Sequence, residues 1–320
     1  MDASEPKIGP SLVLLGVLLI ALIGINAFFV FEYPKTSVAR FDQDDESTTY
    51  DTRAAYILPL SEPSYIPMLD TAVEQPIIEA KSIAIFDIRS ERYLFDRDIR
   101  ARLPVASLTK IMSAVVVMEN FDLKDVVVVG ESSIKVDGQK QTLYAGESMS
   151  VENLLKMMLI ESSNDAAYAL AEYGRSRAID FVAEMNRKSL ALGMNNTKFL
   201  DPAGLNDEAY STAEDLVRIT EYSLKYDLMW KILGEKNVIV RSTDEKIEHI
   251  TTTTNMLLGA LPNILGGKTG YTDTALGCLV LVVSVPDRDD NIISVVLGSK
   301  DRFGETEKLV NWIKKAYRWN

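Results

Sequence analysis

Histidine and cysteine are nearly absent. The 320-residue chain has one of each, His249 and Cys278. Structural zinc sites take four Cys or His ligands and catalytic ones usually draw on His, so a zinc centre is not expected. No disulfide can form within the chain. Ser-His-Asp or Cys-His catalysis would have to run through His249, which sits in IEHITTTT, a segment that reads as strand. Any nucleophile here needs another base: Lys, Asp or Glu. Cys278 lies in an apolar strand and reads as core. Basic charge is also short, with 34 Lys and Arg against 46 Asp and Glu and a net charge of −12. Nucleic acid is bound through Lys and Arg contacts to phosphates, so no nucleic-acid partner is expected.

Charge is missing altogether from residues 8–31, IGPSLVLLGVLLIALIGINAFFVF, behind a short tail of residues 1–7. A bilayer core takes roughly 20 apolar residues as a helix, and a secretory h-region only about 7–15. Ile25 and Ala27 make a poor cleavage site, so an uncleaved transmembrane signal anchor is expected rather than a cleaved signal peptide. Residues 32–78 are acidic and punctuated by proline, which suits a tether. Folded sequence is expected over 79–320. SIAIFDIRSERYLFDRD (82–98) predicts two strands around a turn at Arg89–Glu91. Ser107 to about Leu228 reads as mostly helical, with Ser150 as an N-cap and Gly193 past a helix end. Strands return after residue 236, and ETEKLVNWIKKAYRW (305–319) predicts a closing helix. Strands, helices, strands, helix: the order fits an α+β fold, an antiparallel sheet with a helical insertion.

Gly267-Lys268-Thr269 are the letters that close a phosphate-binding P-loop. Pro262, five residues before Gly267, lacks the N–H that such a loop needs, and the next run, LGCLVLVVSV, reads as strand rather than helix. A nucleotide site is therefore excluded. Taken alone, Lys268 also fits a surface lysine in a tight turn.

Two further stretches carry polar groups in suggestive places. In LPVASLTKIMSAVVVME (103–119), Ser107 and Lys110 stand three apart on one face of a helix start. A serine hydroxyl is a poor nucleophile until a base takes its proton. Burial and a second cation would lower the Lys pKa and free that base. An N-cap serine followed by a solvent lysine has the same spacing. In ESSNDAAYAL (161–170), Ser162 and Asn164 interrupt two apolar helical patterns. They suit a proton relay and an amide contact, and equally a plain helix cap.

The ordered set S-x-x-K, S-x-N, K-T-G matches the signature of active-site-serine penicillin-recognising enzymes. With ASLTKIMSA, MSVENLLKMMLIESSNDAAYALAE, FVAEMNRKSLALGMNNTKFLDPAGL and GGKTGYT, residues 80 to 300 resemble the D-alanyl-D-alanine carboxypeptidases of the low-molecular-mass penicillin-binding proteins. The resemblance implies a β-lactamase-like, DD-peptidase fold, an antiparallel sheet flanked by helices with an all-helical lobe. It implies that Ser107 attacks the terminal D-Ala-D-Ala bond of a peptidoglycan stem peptide. Lys110 would be its base, and Ser162 would pass the proton to the leaving amine. Asn164 would hold the substrate amide, and Lys268 and Thr269 its carboxylate, with Lys268 also biasing Lys110. Gly270 would admit the substrate backbone, and the N–H groups of Ser107 and Tyr271 would bind the oxyanion. No cofactor or metal is implied, β-lactams would acylate Ser107, and the domain would face outward from a bacterial cytoplasmic membrane.

One departure stands out. Some members carry Arg before N-x-L-L, where this chain has Thr254. Rival readings are a DD-endopeptidase of cross-linked peptidoglycan, a serine β-lactamase, and a non-catalytic wall-binding protein. The deacylating E-x-x-L-N of one β-lactamase class has only Glu221-Tyr222-Ser223-Leu224 as a near match, inside a predicted helix.

Overall fold

The computed structural model describes residues 66–136, 142–285 and 290–319. All belong to the unit that runs from Leu60 to Asn320. The predicted membrane segment 8–31 and the linker up to residue 65 lie outside the described residues. Among the described residues no helix is long and apolar enough to cross a membrane.

The end of the stretch read as linker is bound to the domain. Strand β1 (Met68–Leu69) pairs antiparallel with the last strand of the chain, and the Asp70 N–H donates to Ala316 O at 2.6 Å. Strands β2 (Ser82–Asp87) and β3 (Arg92–Arg97) then form the expected hairpin.

The helical lobe follows. It comprises α1 (Thr109–Asn120), the short ladder of β4 (Val126–Val128) with β5 (Ser148–Ser150), α2 (Val151–Ile160), α3 (Asn164–Ser176), α4 (Phe181–Ala191), α5 (Ala213–Ser223) and α6 (Asp227–Leu233). Local chemistry starts these helices where it should. Ser150, Asp180 and Thr212 each accept a backbone N–H three residues on, and such a cap contributes about 1 kcal/mol. In α1 every residue from Thr109 to Val117 is buried, which fits a helix that is apolar almost all round at the centre of the lobe.

A hairpin of β6 (Asn237–Arg241) and β7 (Glu248–Thr252) leads back to the sheet, which closes with β8 (Ile264–Thr272), β9 (Leu276–Ser284) and β10 (Asn291–Ser299). Its five strands run in the order β3-β2-β10-β9-β8, and every adjacent pair is antiparallel. Period-2 alternation puts two apolar sets on opposite faces. Ala84, Cys278, Val280, Val282, Ile293 and Val295 join the lobe core. Ile83, Ile85, Ile292 and Val296 pack on α7 (Arg302–Ala316) through Leu309, Trp312 and Ile313. Helix α7 starts earlier than expected because Asp301 caps it through Gly304 N–H. It also ends earlier, at Ala316, because Tyr317 turns extended and opens β11 (Tyr317–Arg318), the partner of β1.

Two features of this architecture position the site. Strand β8 is an edge strand, and it faces the lobe at the turn that precedes α1.

Candidate active site

Ser107 sits in a 3-10 turn, Ala106–Leu108, that runs directly into α1. It caps nothing, because α1 has no side-chain cap. One turn on, Lys110 is 0% exposed, so the solvent-lysine alternative fails. Its Nζ lies 2.8 Å from Ser107 Oγ, 2.8 Å from Asn164 Oδ1 and 2.9 Å from the Ala203 carbonyl.

These three partners are not equivalent. The amide oxygen of Asn164 and the carbonyl of Ala203 can only accept. A neutral lysine has two N–H donors and one lone pair. With both donors spent on Asn164 and Ala203, the lone pair is left for Ser107, the only partner with a proton to give. Burial lowers the Lys110 pKa to about 7, against the pull of Asp201 and Asp165, which raise it. The helix dipole at the start of α1 also disfavours a cation. Of the two expected causes, burial is the one that lowers the Lys110 pKa; Lys268 is not among the charges that act on it.

Ser162 and Asn164 occupy the turn between α2 and α3. The helix-cap alternative is taken by the residue between them: Ser163 accepts from Ala166 N–H. Ser162 is then available to the cleft, held at φ +67°, a strained conformation for a residue with a Cβ. Its Oγ accepts from Lys268 Nζ at 2.8 Å.

The K-T-G residues lie within β8, not in a turn. Lys268 is 1% exposed and also donates to Thr269 O at 3.0 Å. Neither Lys268 nor Lys110 forms the cleft wall itself; each meets a serine that does, Lys268 at Ser162 and Lys110 at Ser107. Thr269 does line the cleft, and its hydroxyl is 2.5 Å from that of Thr254. At Gly270 an added Cβ would stand 2.8 Å from Val105 O and 3.1 Å from Ser107 N. Only glycine lets β8 come this close to the nucleophile's turn.

Ser107, Glu161, Ser162, Asn164, Thr254, Thr269, Gly270 and Tyr271 all line one cavity of about 450 Å³. The cavity wall also carries charged groups that sequence reasoning missed, Glu161, Asp273 and, with the most unusual surroundings, Arg302. Its Nε is buried without a hydrogen-bond partner, its guanidinium lies 5.9 Å from the Tyr271 ring centroid, and burial lowers its pKa. A signal was present. Arg302 opens α7, and a cation in a helix's first turn opposes the dipole by about 0.3–1 kcal/mol. A broken local rule of this kind marks candidate functional residues.

The remaining candidates lie elsewhere. His249 is in β7, buried, with Nε2 2.6 Å from Glu147 Oε1, and is not on the cleft wall. Burial pushes the Cys278 thiol up to about 11, which leaves it inert. Glu221 is exposed on α5 and does not line the cleft, so it cannot serve there as a deacylating base.

The model of the peptidase S11 family, D-alanyl-D-alanine carboxypeptidase, matches residues 69–301. D-alanyl-D-alanine carboxypeptidase DacF of Bacillus subtilis is 34% identical over 249 residues, 75% of this chain and 63% of DacF. The chain thus spans less than two thirds of that relative. A D-alanyl-D-alanine endopeptidase of Pseudomonas aeruginosa is 30% identical over 246 residues, 75% of this chain and 79% of the relative. Among solved structures, the Streptomyces K15 DD-transpeptidase superposes with a TM-score of 0.70 at 27% identity, covering 75% of this chain and 98% of that one.

Proposed function

Because the chain belongs to the D-alanyl-D-alanine carboxypeptidase family, we propose that it is a serine-type DD-carboxypeptidase of peptidoglycan stem peptides. The observation that carries this reading is the Lys110 amine, buried and held between two acceptors with Ser107 as its third partner.

Ser107 Oγ attacks the carbonyl between the last two D-Ala residues as its proton passes to Lys110 Nζ. The oxyanion forms between the backbone N–H groups of Ser107 and Tyr271, where each donor is worth about 10²–10³ in rate. Asn164 orients the substrate amide. Ser162, held by Lys268, passes the proton from Lys110 to the leaving amine, which frees Lys110 as a base again, and free D-Ala departs. Its carboxylate is held by Thr269, Thr254 and Arg302, which line the same cavity, so Arg302 supplies the guanidinium that Thr254 does not. Water then hydrolyses the Ser107 ester, with Lys110 again as base. Penicillin acylates Ser107 as a mimic of the same peptide.

Residues 8–31 are apolar enough to hold the enzyme at a bacterial cytoplasmic membrane with its domain outside, where this substrate is found. The endopeptidase relative supports a second reading, hydrolysis of cross-links by the same acyl-enzyme.

The test is covalent labelling with fluorescent penicillin, expected for the wild type and lost in Ser107→Ala. D-Ala release from pentapeptide, compared with cleavage of cross-linked dimers, separates the two peptidase readings. An unlabelled wild type that releases nothing would sink both.

A further inference from the structure

Of the groups that hold Lys110, the Ala203 carbonyl is the one supplied by neither a helix nor a strand. It belongs to the irregular segment 199–209. What fixes it is Asp201. This carboxylate, 8% exposed, accepts N–H bonds from Ala203 at 2.7 Å, Gly204 at 2.6 Å, Leu205 at 3.1 and 3.0 Å, and Asn206 at 2.8 Å. Four successive backbone donors converge on one anion, which pins four peptide planes at once.

The pinned segment touches both partners of the reaction. At Gly204, with φ +79°, an added Cβ would stand 1.9 Å from Ala106 O, so the segment lies against the peptide that precedes Ser107. Gly204 and Leu205 also line the cleft. A second tether runs from Ser113 Oγ on α1 to Pro202 O at 2.6 Å.

Resting on the DD-peptidase reading above, we propose that Asp201 is the positioning residue of the general base. By fixing the Ala203 carbonyl it keeps one Lys110 N–H engaged and the Lys110 lone pair aimed at Ser107. The same carboxylate acts through its charge. Asp201 from this segment and Asp165 from α3 both favour the Lys110 cation, opposing burial. On β8 the facing charge is Lys268, held on Ser162. Asp201 therefore sets both the aim of the base and the pH at which it loses its proton.

The experiment uses the full chain. It reads the rate of acylation by fluorescent penicillin as a function of pH, and kcat and KM for D-Ala release. In Asp201→Asn an NH₂ group would face backbone N–H donors that now meet oxygen. Acylation is expected to fall by roughly 10- to 100-fold with KM little changed, because a misplacement of about 1 Å costs about that much. Its acid limb is expected to move to lower pH, since a charge that favours protonated Lys110 is gone. Simple structural damage would lower the rate without moving that limb. Asp201→Glu keeps the charge but displaces the segment, so a slower rate with an unmoved limb is expected. Ser113→Ala removes only the second tether, and its acylation is expected to stay within about twofold of wild type.

An Asp201→Asn enzyme with wild-type rate and limb overturns the proposal. So does a Ser113→Ala enzyme that loses tenfold or more (on the order of the effect expected for Asp201), and this arm decides even if the Asp201 variants fail to fold. A wild type that takes no penicillin and releases no D-Ala points instead to failure of the functional reading, and the inference falls with it.

Discussion

The ammonium of Lys268 lies 2.8 Å from the hydroxyl oxygen of Ser162, a residue 106 positions earlier in the chain. One belongs to the edge strand of the sheet, the other to a turn between two helices of the lobe. Their bond holds a cleft-lining hydroxyl against a buried amine, the pair to which the proposed mechanism gives protonation of the leaving amine. In Ser162→Ala the nucleophile and Lys110 stay intact but the carrier is gone. The kcat for D-Ala release is expected to fall by about 10²–10⁴, with KM nearly unchanged. A variant that keeps wild-type turnover would show that the proton travels another way.

Lys110 predicts a pH dependence in both activity and stability. Its pKa is about 7, so acylation is expected to lose rate as the pH falls below that value and the base is protonated. For stability the sign is fixed by linkage. The unfolded chain keeps the ordinary pKa of 10.5, so between about 7 and 10.5 it binds a proton that the folded chain does not. Stability therefore rises with pH across this window through Lys110. Below it the folded protein carries a buried ammonium. Lys110→Met removes this group at similar length. It is expected to be inactive and more stable than wild type, by a margin that is larger at about pH 6 than at about pH 9. Thermal melts at the two pH values check this, and a margin that grows with pH would contradict it.

The parts of the fold that rest on local rules were legible in the sequence. The β2–β3 hairpin follows from alternation around a turn, and the start of α2 follows from the Ser150 cap. Spacing alone put Ser107 and Lys110 on one helical face. Burial was not legible, because it depends on what the rest of the chain places around a residue. Lys110 reads as a lysine like any other until α3 and the 199–209 segment close over it. Lys268 likewise reads as a surface lysine in a turn until Ser162 and the Thr269 carbonyl are placed against its amine. The role of Ser163 as the cap was also hidden, since three adjacent polar residues can each start a helix. The docked end of the linker stretch depends on pairing with Tyr317–Arg318 at the far end of the chain.

Arg302 makes no ion pair among the described residues, although the chain is strongly acidic. Its buried Nε has no hydrogen-bond partner, and it lines the same cavity as Thr269 and Thr254. A hydrogen bond to a charged group contributes about 1.5–3 kcal/mol. Arg302→Ala is therefore expected to raise the KM for peptides ending in a free carboxylate by about 10- to 100-fold, leaving kcat close to wild type. A peptide ending in an amide should lose nothing further in the variant. If the acid and amide substrates suffer equally, Arg302 serves packing and not carboxylate binding.

Gly270 tests whether the nearness of β8 to Ser107 is itself functional. A methyl group at this position would stand 2.8 Å from Val105 O, closer than a Cβ tolerates, and a tight 3.1 Å from Ser107 N. Neither neighbour is a flexible side chain, so the strand and the turn must separate. Overpacking of this kind costs about 1–3 kcal/mol, which a domain of this size survives. The proposed oxyanion site is less tolerant, since its two N–H groups would come from opposite sides of the gap, Ser107 from the turn and Tyr271 from the strand. Gly270→Ala is expected to fold, to melt a few degrees lower, and to acylate with penicillin at least about 10²-fold more slowly. The measurement is the acylation rate set beside the melting curve. A variant that melts lower yet acylates normally would mean that the separation is absorbed away from the oxyanion site.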